Sequence, residues 1–346
     1  MLLDFLLAFI VVIVIVMPLI NKYVEENLEI FILITGLLAA TISNIWDWNL
    51  VKITLEHPIM ISLTVLIMGI LFKIFNRQII IFINKVVKTI GVRWTLALST
   101  FILGLISSVI TAIVASLILS EIASVINLKR QEKIKFIVYA CFAIGIGAVL
   151  TPVGEPLGTI IISKLSGAPH NADFFFMIDL LWVYILSANL FLSVLSYKII
   201  KKESVFEEHI IKNKADTKNR EILYRFIKVY AFVAGLILLG DGLKPLAYKT
   251  VGHLGGMELY WINILSAVLD NATLAAIEIV PEMSVVTLKY LIVSLIISGG
   301  MMIPGNIPNI ICASKLKITS KEWIKVGFPL GMIMLVFYFL FIRFIN

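Results

Sequence analysis

The chain is 346 residues long, 60% apolar and 15% charged, with a mean hydropathy of +1.03. A soluble domain carries about 25% charged residues, so a soluble globule is excluded, and the continuous apolar runs lack the alternation of a barrel strand. The net charge of +7 gathers in short loops, as cytoplasmic loops of membrane proteins do, and gives no nucleic-acid signal.

The expected class is an all-α polytopic membrane protein whose first partner is the lipid bilayer. Apolar runs fall at 2–20, 28–45, 57–75, 94–126, 134–165, 174–198, 225–246, 258–280, 287–316 and 325–345. The first, "LLDFLLAFIVVIVIVMPLI", approaches the roughly 20 residues that cross a bilayer. It has no basic start, carries Asp4 and lacks a small-residue cleavage site, so it reads as a retained helix and not a signal peptide. Residues 76–93 mix charges with apolar residues at helical spacing, which suits a helix lying in the interface. Run 94–126 is too long for one simple crossing and too short for two, and its middle, "ISSVITA", is polar. Run 134–165 is broken by "TPVGEP" at Thr151–Pro156. Residues 199–224 are hydrophilic and read as a cytoplasmic linker. Run 258–280 has the polar middle "LSAVLDNATL", and run 287–316 carries a second break, "MIPGNIPN".

The two halves correspond. "SSVITAIVA" at 107–115 aligns with "SAVLDNATL" at 266–274, and the first break aligns with the second on Pro152/Pro304 and Pro156/Pro308. In this register Asn306 meets Gly154 and Ile307 meets Glu155; Lys164 meets Lys315 once one gap is allowed. Treating 94–126 and 258–280 as re-entrant hairpins, with the N-terminus outside, puts all 29 basic residues inside except Lys52, Lys164, Lys244, Lys249, Lys289 and Arg343. Treating both as full crossings divides them nearly evenly, so the positive-inside rule prefers hairpins. The expected architecture is then about eight transmembrane helices plus two re-entrant hairpins in an inverted-topology repeat, the layout of many secondary transporters. Its parts are N-terminal scaffold helices (1–56), a first repeat (57–198), the linker (199–224) and a second repeat (225–346).

The breaks carry the chemistry. Proline removes a backbone donor, and irregular backbone is tolerated at membrane depth only inside protein or along a cavity. Exposed carbonyls and side-chain oxygens there suit a hard cation such as sodium, and a half-helix N-terminus offsets a carboxylate's charge. Glu155 stands in the first break and Asp270 at the centre of the second hairpin. An acid at the bilayer centre costs at least about 2.5 kcal/mol, and either can exchange a proton for a cation. Neutral oxygens come from Ser107, Ser108, Thr111, Thr151, Asn271, Thr273, Asn306 and Asn309, with Gly154, Gly305, Pro152, Pro156, Pro304 and Pro308 shaping the breaks. Both acids also have a bland reading: Glu155 as a structural cap or a lysine partner, Asp270 as a hairpin cap. Asp179 and Asp241 read as interfacial, Glu121 and Glu278 as second-arm acids with structural roles. Lys164 and Lys315 read as helix-end lysines reaching the interface.

Met301–Met302, Cys141 and Cys312 read as packing, with no disulfide, and no His/Cys spacing suggests zinc. No histidine lies inside an apolar run, so serine, zinc and rhomboid-type intramembrane catalysis lack a base; the paired acids lack the flanking signatures of an aspartyl protease. No enzyme and no cofactor is expected.

Hairpin tips rich in Ser, Asn and Asp, each followed by a "TPxGxP"-like break, resemble the ion transporter superfamily. Within it, "SAVLDNAT" and "GAVLTPVGEP" look most like the D-type sodium/proton antiporter and arsenite-permease branch, and like a small prokaryotic group of cation transporters. The resemblance covers about residues 57–345. It implies a homodimer in the cell membrane, a scaffold part and a moving transport part. It also implies sites at the hairpin tips and breaks, carried here by Ser107, Ser108, Thr111, Thr151–Pro156, Asp270–Thr273 and Pro304–Asn309. The chain departs from the dicarboxylate branch, where Ser-Asn-Thr patterns grip a carboxylate; here acids stand in or near those places. The expected function is sodium/proton antiport with sodium and protons exchanged at Glu155 and Asp270. The alternative is sodium-coupled transport of a small organic or inorganic anion.

Overall fold

The computed structural model describes residues 2–21, 23–24, 27–200, 219–251, 255–268 and 271–345. Most of the linker 199–224, and Asp270 with it, lie outside the described residues. The described chain is helical, with no strand among these residues. In order the helices are α1 Leu2–Ile20, α2 Leu28–Ile42, α3 Trp48–Ile74, α4 Asn76–Ile110 and α5 Ala112–Val125. Then come α6 Arg130–Ala148, α7 Pro156–Leu165, α8 Phe176–Tyr197, α9 Asn219–Val251 and α10 Gly256–Ile262. Last are α11 Asn271–Glu278, α12 Val285–Ser298, α13 Ile307–Leu316 and α14 Ser320–Ile345. A short 3-10 turn, Asn263–Ala267, follows α10.

Five stretches are long and apolar enough to cross a membrane: Trp48–Ile67, Ile80–Ile110, Phe176–Tyr197, Phe226–Leu246 and Ser320–Ile345. This makes the chain a membrane helical protein. Eight crossings were expected; four of these five stretches are among them, and the fifth, Ile80–Ile110, joins the expected interfacial helix to the first arm of the expected hairpin. The first two expected crossings are the shorter apolar helices Leu3–Pro18 and Leu28–Ile42, and the runs at 134–165 and 287–316 are divided by their breaks into α6 plus α7 and α12 plus α13. Each piece alone falls short of the full length, at 1.5 Å of rise per residue. α3 begins nine residues ahead of its apolar run because Asp47 caps it, its carboxylate accepting from the Leu50 N–H at 2.6 Å. Such a cap contributes about 1 kcal/mol. The amphipathic segment 76–90 and the apolar arm after it form one element, α4, bent at Gly91, whose φ of 79° only glycine adopts without strain.

The helices α2, α3 and α9 pack together as one layer, with Gly36, Gly235 and Gly242 at the α2–α9 crossing. Small residues there let the backbones approach closely, as in membrane helix pairs generally. In the remaining bundle α4 packs on α6 and α8, and α12 packs on α10 and α14. The two halves are then tied crosswise: α7, from the first half, docks on α11 of the second, and α13 docks on α5. Each docked half-helix ends in a lysine that reaches its host. Lys164 donates to the Ile279 carbonyl at 3.1 Å. Lys315 pairs with the Glu121 carboxylate, the two side chains only 8% and 12% exposed. Both lysines, expected at helix ends, do stand in the last turn of a half-helix, and each is held there by the opposite half.

Four further contacts join distant segments at their ends. Lys249 pairs with Asp4 at 2.6 Å, Lys228 with Glu29 at 3.1 Å and Arg130 with Glu322 at 2.6 Å. His170 Nε2 lies 2.9 Å from the Met283 carbonyl. Met301 is fully buried and Met302 nearly so, in agreement with a packing role; Met301 lies against Gly327 and Gly331 of α14.

Candidate functional site

The first break runs from Val149 to Glu155, between the end of α6 and Pro156 at the start of α7. Glu155 is the N-cap residue of α7, in extended backbone (φ −158°, ψ 161°), and its side chain makes no capping bond to that helix. It is 7% exposed. The second break runs from Gly299 to Asn306. Asn306 is the N-cap of α13 in nearly the same conformation (φ −156°, ψ 148°), again with no side-chain capping bond, and is 6% exposed. The acid of the first half therefore stands where the second half has an amide. The expected register, with Asn306 opposite Gly154 and Ile307 opposite Glu155, is off by one. Pro156 opens α7, whereas Pro308 is the second residue of α13, so matching the prolines slips the helices. With the caps matched, Lys164 and Lys315 coincide without a gap.

Each break is backed by the polar segment of its own half. Thr111 interrupts α4 and α5 with φ 73° and ψ 148°. A β-branched residue at positive φ is a true outlier, of the kind that costs about 1–3 kcal/mol and collects at functional sites. Its Oγ1 accepts from the Val114 N–H, and the next N–H, of Ala112, donates to the Gly154 carbonyl at 2.9 Å. The Thr151 hydroxyl donates to the Ser108 carbonyl. Ser107 donates to the carbonyls of Gly104 (2.7 Å) and Ile144 (3.1 Å), and Ser108 to that of Leu105 (2.8 Å). In the second half Gly305 lies against the Ser266 and Ala267 carbonyls, and Gly299 near the Asn271 amide. The halves meet where the Asn306 amide abuts Gly145 of α6.

The breaks were expected to expose carbonyls; many prove to be taken. Thr151 O accepts from the Gly154 N–H and Pro152 O from the Thr159 hydroxyl. Gly300 O accepts from the Trp323 indole. Gly299 O and Met302 O both accept from the Asn309 amide at 2.8 Å. The hydroxyl protons of Ser107, Ser108, Thr151 and Thr159 are likewise committed to backbone, which leaves their oxygens as acceptors. What the arrangement offers a cation is thus side-chain oxygen: the Glu155 carboxylate, those hydroxyls, and Asn309 Oδ1, which is buried with no donor among the described residues. No group of three or more His, Cys, Asp or Glu side chains assembles among the described residues; the donors named here are all oxygen, the type that suits hard cations. Of the remaining expected site residues, Asn271 is buried, its amide nitrogen lacking an acceptor among the described residues. Thr273 lies on α11, and the call on Asp270 lies outside the described residues.

The family model described as a protein of unknown function, DUF1646, matches residues 4–345. This chain belongs to the DUF1646 family. No curated protein matches the sequence.

Two features of this DUF1646 chain were not read from its residues. The first is Asn309 as a brace: one amide closes the second break by satisfying two carbonyls. Asn309→Ala should leave the Gly299 carbonyl without this donor and the Met302 carbonyl with only the Gly305 N–H at 3.3 Å, at about 1–3 kcal/mol, read as a lowered midpoint of thermal unfolding in detergent. An unchanged midpoint would remove Asn309 from this role. The second is a cavity of about 590 Å³ between the α2–α9 layer and α13, lined among others by Glu29, Lys228, Ile303, Lys315 and Lys317. Its floor touches the second break at Ile303. Gathering Glu29, Lys228 and Lys317 needed the packing of α2 and α9 beside α13, which no local motif signals.

Proposed function

We propose that this chain is a secondary transporter of a small cation, exchanging sodium for protons by alternating access at the two helix breaks. The observation that carries this reading is the matched pair of N-cap positions. Two half-helices begin in the same backbone conformation, buried, one capped by Glu155 and the other by Asn306. A carboxylate at a half-helix N-terminus is held by the helix dipole yet can still take a proton or a cation, which is the exchange an antiporter needs. The strained Thr111 beside the first break supports a functional role for that tip.

The inverted repeat with re-entrant hairpins at 94–126 and 258–280 belongs to the same proposal. The end contacts support it. Asp4–Lys249, Glu29–Lys228, Arg130–Glu322, His170–Met283, Lys164–Ile279 and Glu121–Lys315 each join positions that the hairpin topology puts on one side. Counting both runs as full crossings would put the partners of every one of these pairs on opposite sides. A homodimer in the cell membrane, with the N-terminus outside, completes the proposal.

A second reading, sodium-coupled uptake or efflux of a small anion, is favoured by one observation. The cavity reaching the second break is lined by three lysines and one glutamate, Lys228, Lys315, Lys317 and Glu29. The deciding experiment is dissipation of a pH gradient in proteoliposomes on adding sodium, lithium, potassium or calcium. Wild type is run beside Glu155→Gln and Asp270→Asn. A cation-dependent proton flux that falls to the empty-liposome rate in both variants is expected. Absence of flux with every cation would sink the antiport reading and direct the assay to sodium-driven uptake of dicarboxylates and oxyanions.

A further inference from the structure

The buried acids of this chain differ in what surrounds them. Glu121 is ion-paired with Lys315, and Glu155 heads α7. Glu278, the last residue of α11, is 3% exposed, and neither of its carboxylate oxygens accepts a hydrogen bond among the described residues. The polar side chain that reaches it is Asn263 of the 3-10 turn. The Asn263 amide nitrogen is engaged with Ser294 Oγ at 2.9 Å and, more weakly, the Leu291 carbonyl at 3.4 Å. Asn263 is itself fully buried, and its Oδ1 also lacks a donor among the described residues. The buried carboxyl of Glu278 therefore has a neutral amide, and no cation, as the polar side chain nearest to it among the described residues.

An unpaired carboxylate in such a place is strongly disfavoured. One added proton removes the charge and supplies a donor for a neighbouring oxygen. We propose that Glu278 holds an exchangeable proton inside the protein, with Asn263 as its neutral partner, and that it is a proton site of the transport cycle. Its place in a cycle rests on the transport reading; its protonation does not.

The elements packed on α11 are α7, α9, α12 and the Asn263–Ala267 turn. Of their charged and titratable groups, Lys164 of α7 is held by the Ile279 carbonyl, one residue beyond Glu278. On α9, Asp241 pairs with Lys244, Lys228 with Glu29 and Lys249 with Asp4. α12 carries Lys289 and Tyr290, the latter stacked edge-on against Tyr260; the turn carries no titratable side chain. Lys164, bonded to the carbonyl of the residue next to Glu278, is therefore the cation whose removal the test includes.

The test reads protonation directly on the wild-type protein in detergent. Dicyclohexylcarbodiimide adds to a protonated carboxyl, the acid's oxygen bonding to the central carbon and its proton passing to nitrogen, with no leaving group. Peptide mass mapping then reports Glu278, Glu155 and Asp270 separately, and difference infrared spectroscopy reports the carboxyl C=O band without any reagent. The expected result is an adduct at Glu278 at neutral pH. Its rate should fall about tenfold per pH unit once the group ionises, with a matching band lost in Glu278→Gln. Neither adduct nor band in the folded protein, with both appearing in Lys164→Met, would mean a Lys164-paired carboxylate and overturn the proposal. Neither adduct nor band in both proteins would overturn it too. A labelled Glu278 in a protein that moves no protons would uphold the site and sink the transport reading. A proton flux without a protonated Glu278 would do the reverse.

Discussion

Lys315→Met is expected to destabilise the protein by about 3–5 kcal/mol, the usual cost of removing one partner from a buried ion pair. The substitution keeps most of the side-chain volume, so packing of α13 on α5 changes little. What it leaves is Glu121 without its Lys315 partner, its side chain 12% exposed, on a helix with no basic residue in its last turn. Thermal unfolding in detergent, followed by tryptophan fluorescence, reads the loss. The double variant Glu121→Met/Lys315→Met is expected to recover most of it, because replacing a buried pair by apolar residues is often neutral. A single variant as stable as wild type would show the pair to be solvated, and α13 to be held by apolar contact alone.

Gly154→Val is expected to abolish transport and lower stability together. A Cβ on Gly154 would come within 2.9 Å of Ser108 Cα and 2.8 Å of the Ala148 carbonyl carbon. These are backbone atoms on both sides, so no side chain can rotate away. The α4–α5 junction at Thr111 must move, and the Ala112–Gly154 hydrogen bond goes with it. Overpacking of this kind costs about 1–3 kcal/mol, occasionally more. Gly154→Ala should fall between wild type and the valine variant in both cation-dependent flux and unfolding midpoint. Full flux in the valine variant would mean that the tip and the break are not mechanically joined.

The two breaks were legible because proline and glycine act locally. "TPVGEP" and "IPGNIP" interrupt a helix whatever surrounds them. The start of α3 was not legible, since "DWNLVKITLE" is too polar to join an apolar run and only the Asp47 cap brings it into the helix. The equivalence of Glu155 and Asn306 was missed for a related reason. Proline fits either the first or second helical position, so it marks a helix start only to within a residue, whereas the cap residue's extended backbone marks it directly. The environments of Lys315, Glu121 and Glu278 depend on which half-helix docks on which arm. That is tertiary information, and hydrophobic periodicity says nothing of it. Side-chain roles within the breaks were legible by type but not in full: Asn309 reads as a ligand in the sequence, and in the fold its amide nitrogen also braces the second break.

The crosswise docking of α7 and α13 bears on the order in which this protein can be made. α7 emerges from the ribosome well before α11, the surface it docks on. Until then its lysine lacks the Ile279 carbonyl, and the first break has no opposite half to shelter it. The first half thus waits in the bilayer unfinished, its half-helix still unseated, and completes only when the second half arrives. Conversely α13 finds α5 already in place. The two halves dock reciprocally, yet only the second meets a finished surface on arrival, so it is the piece that closes both.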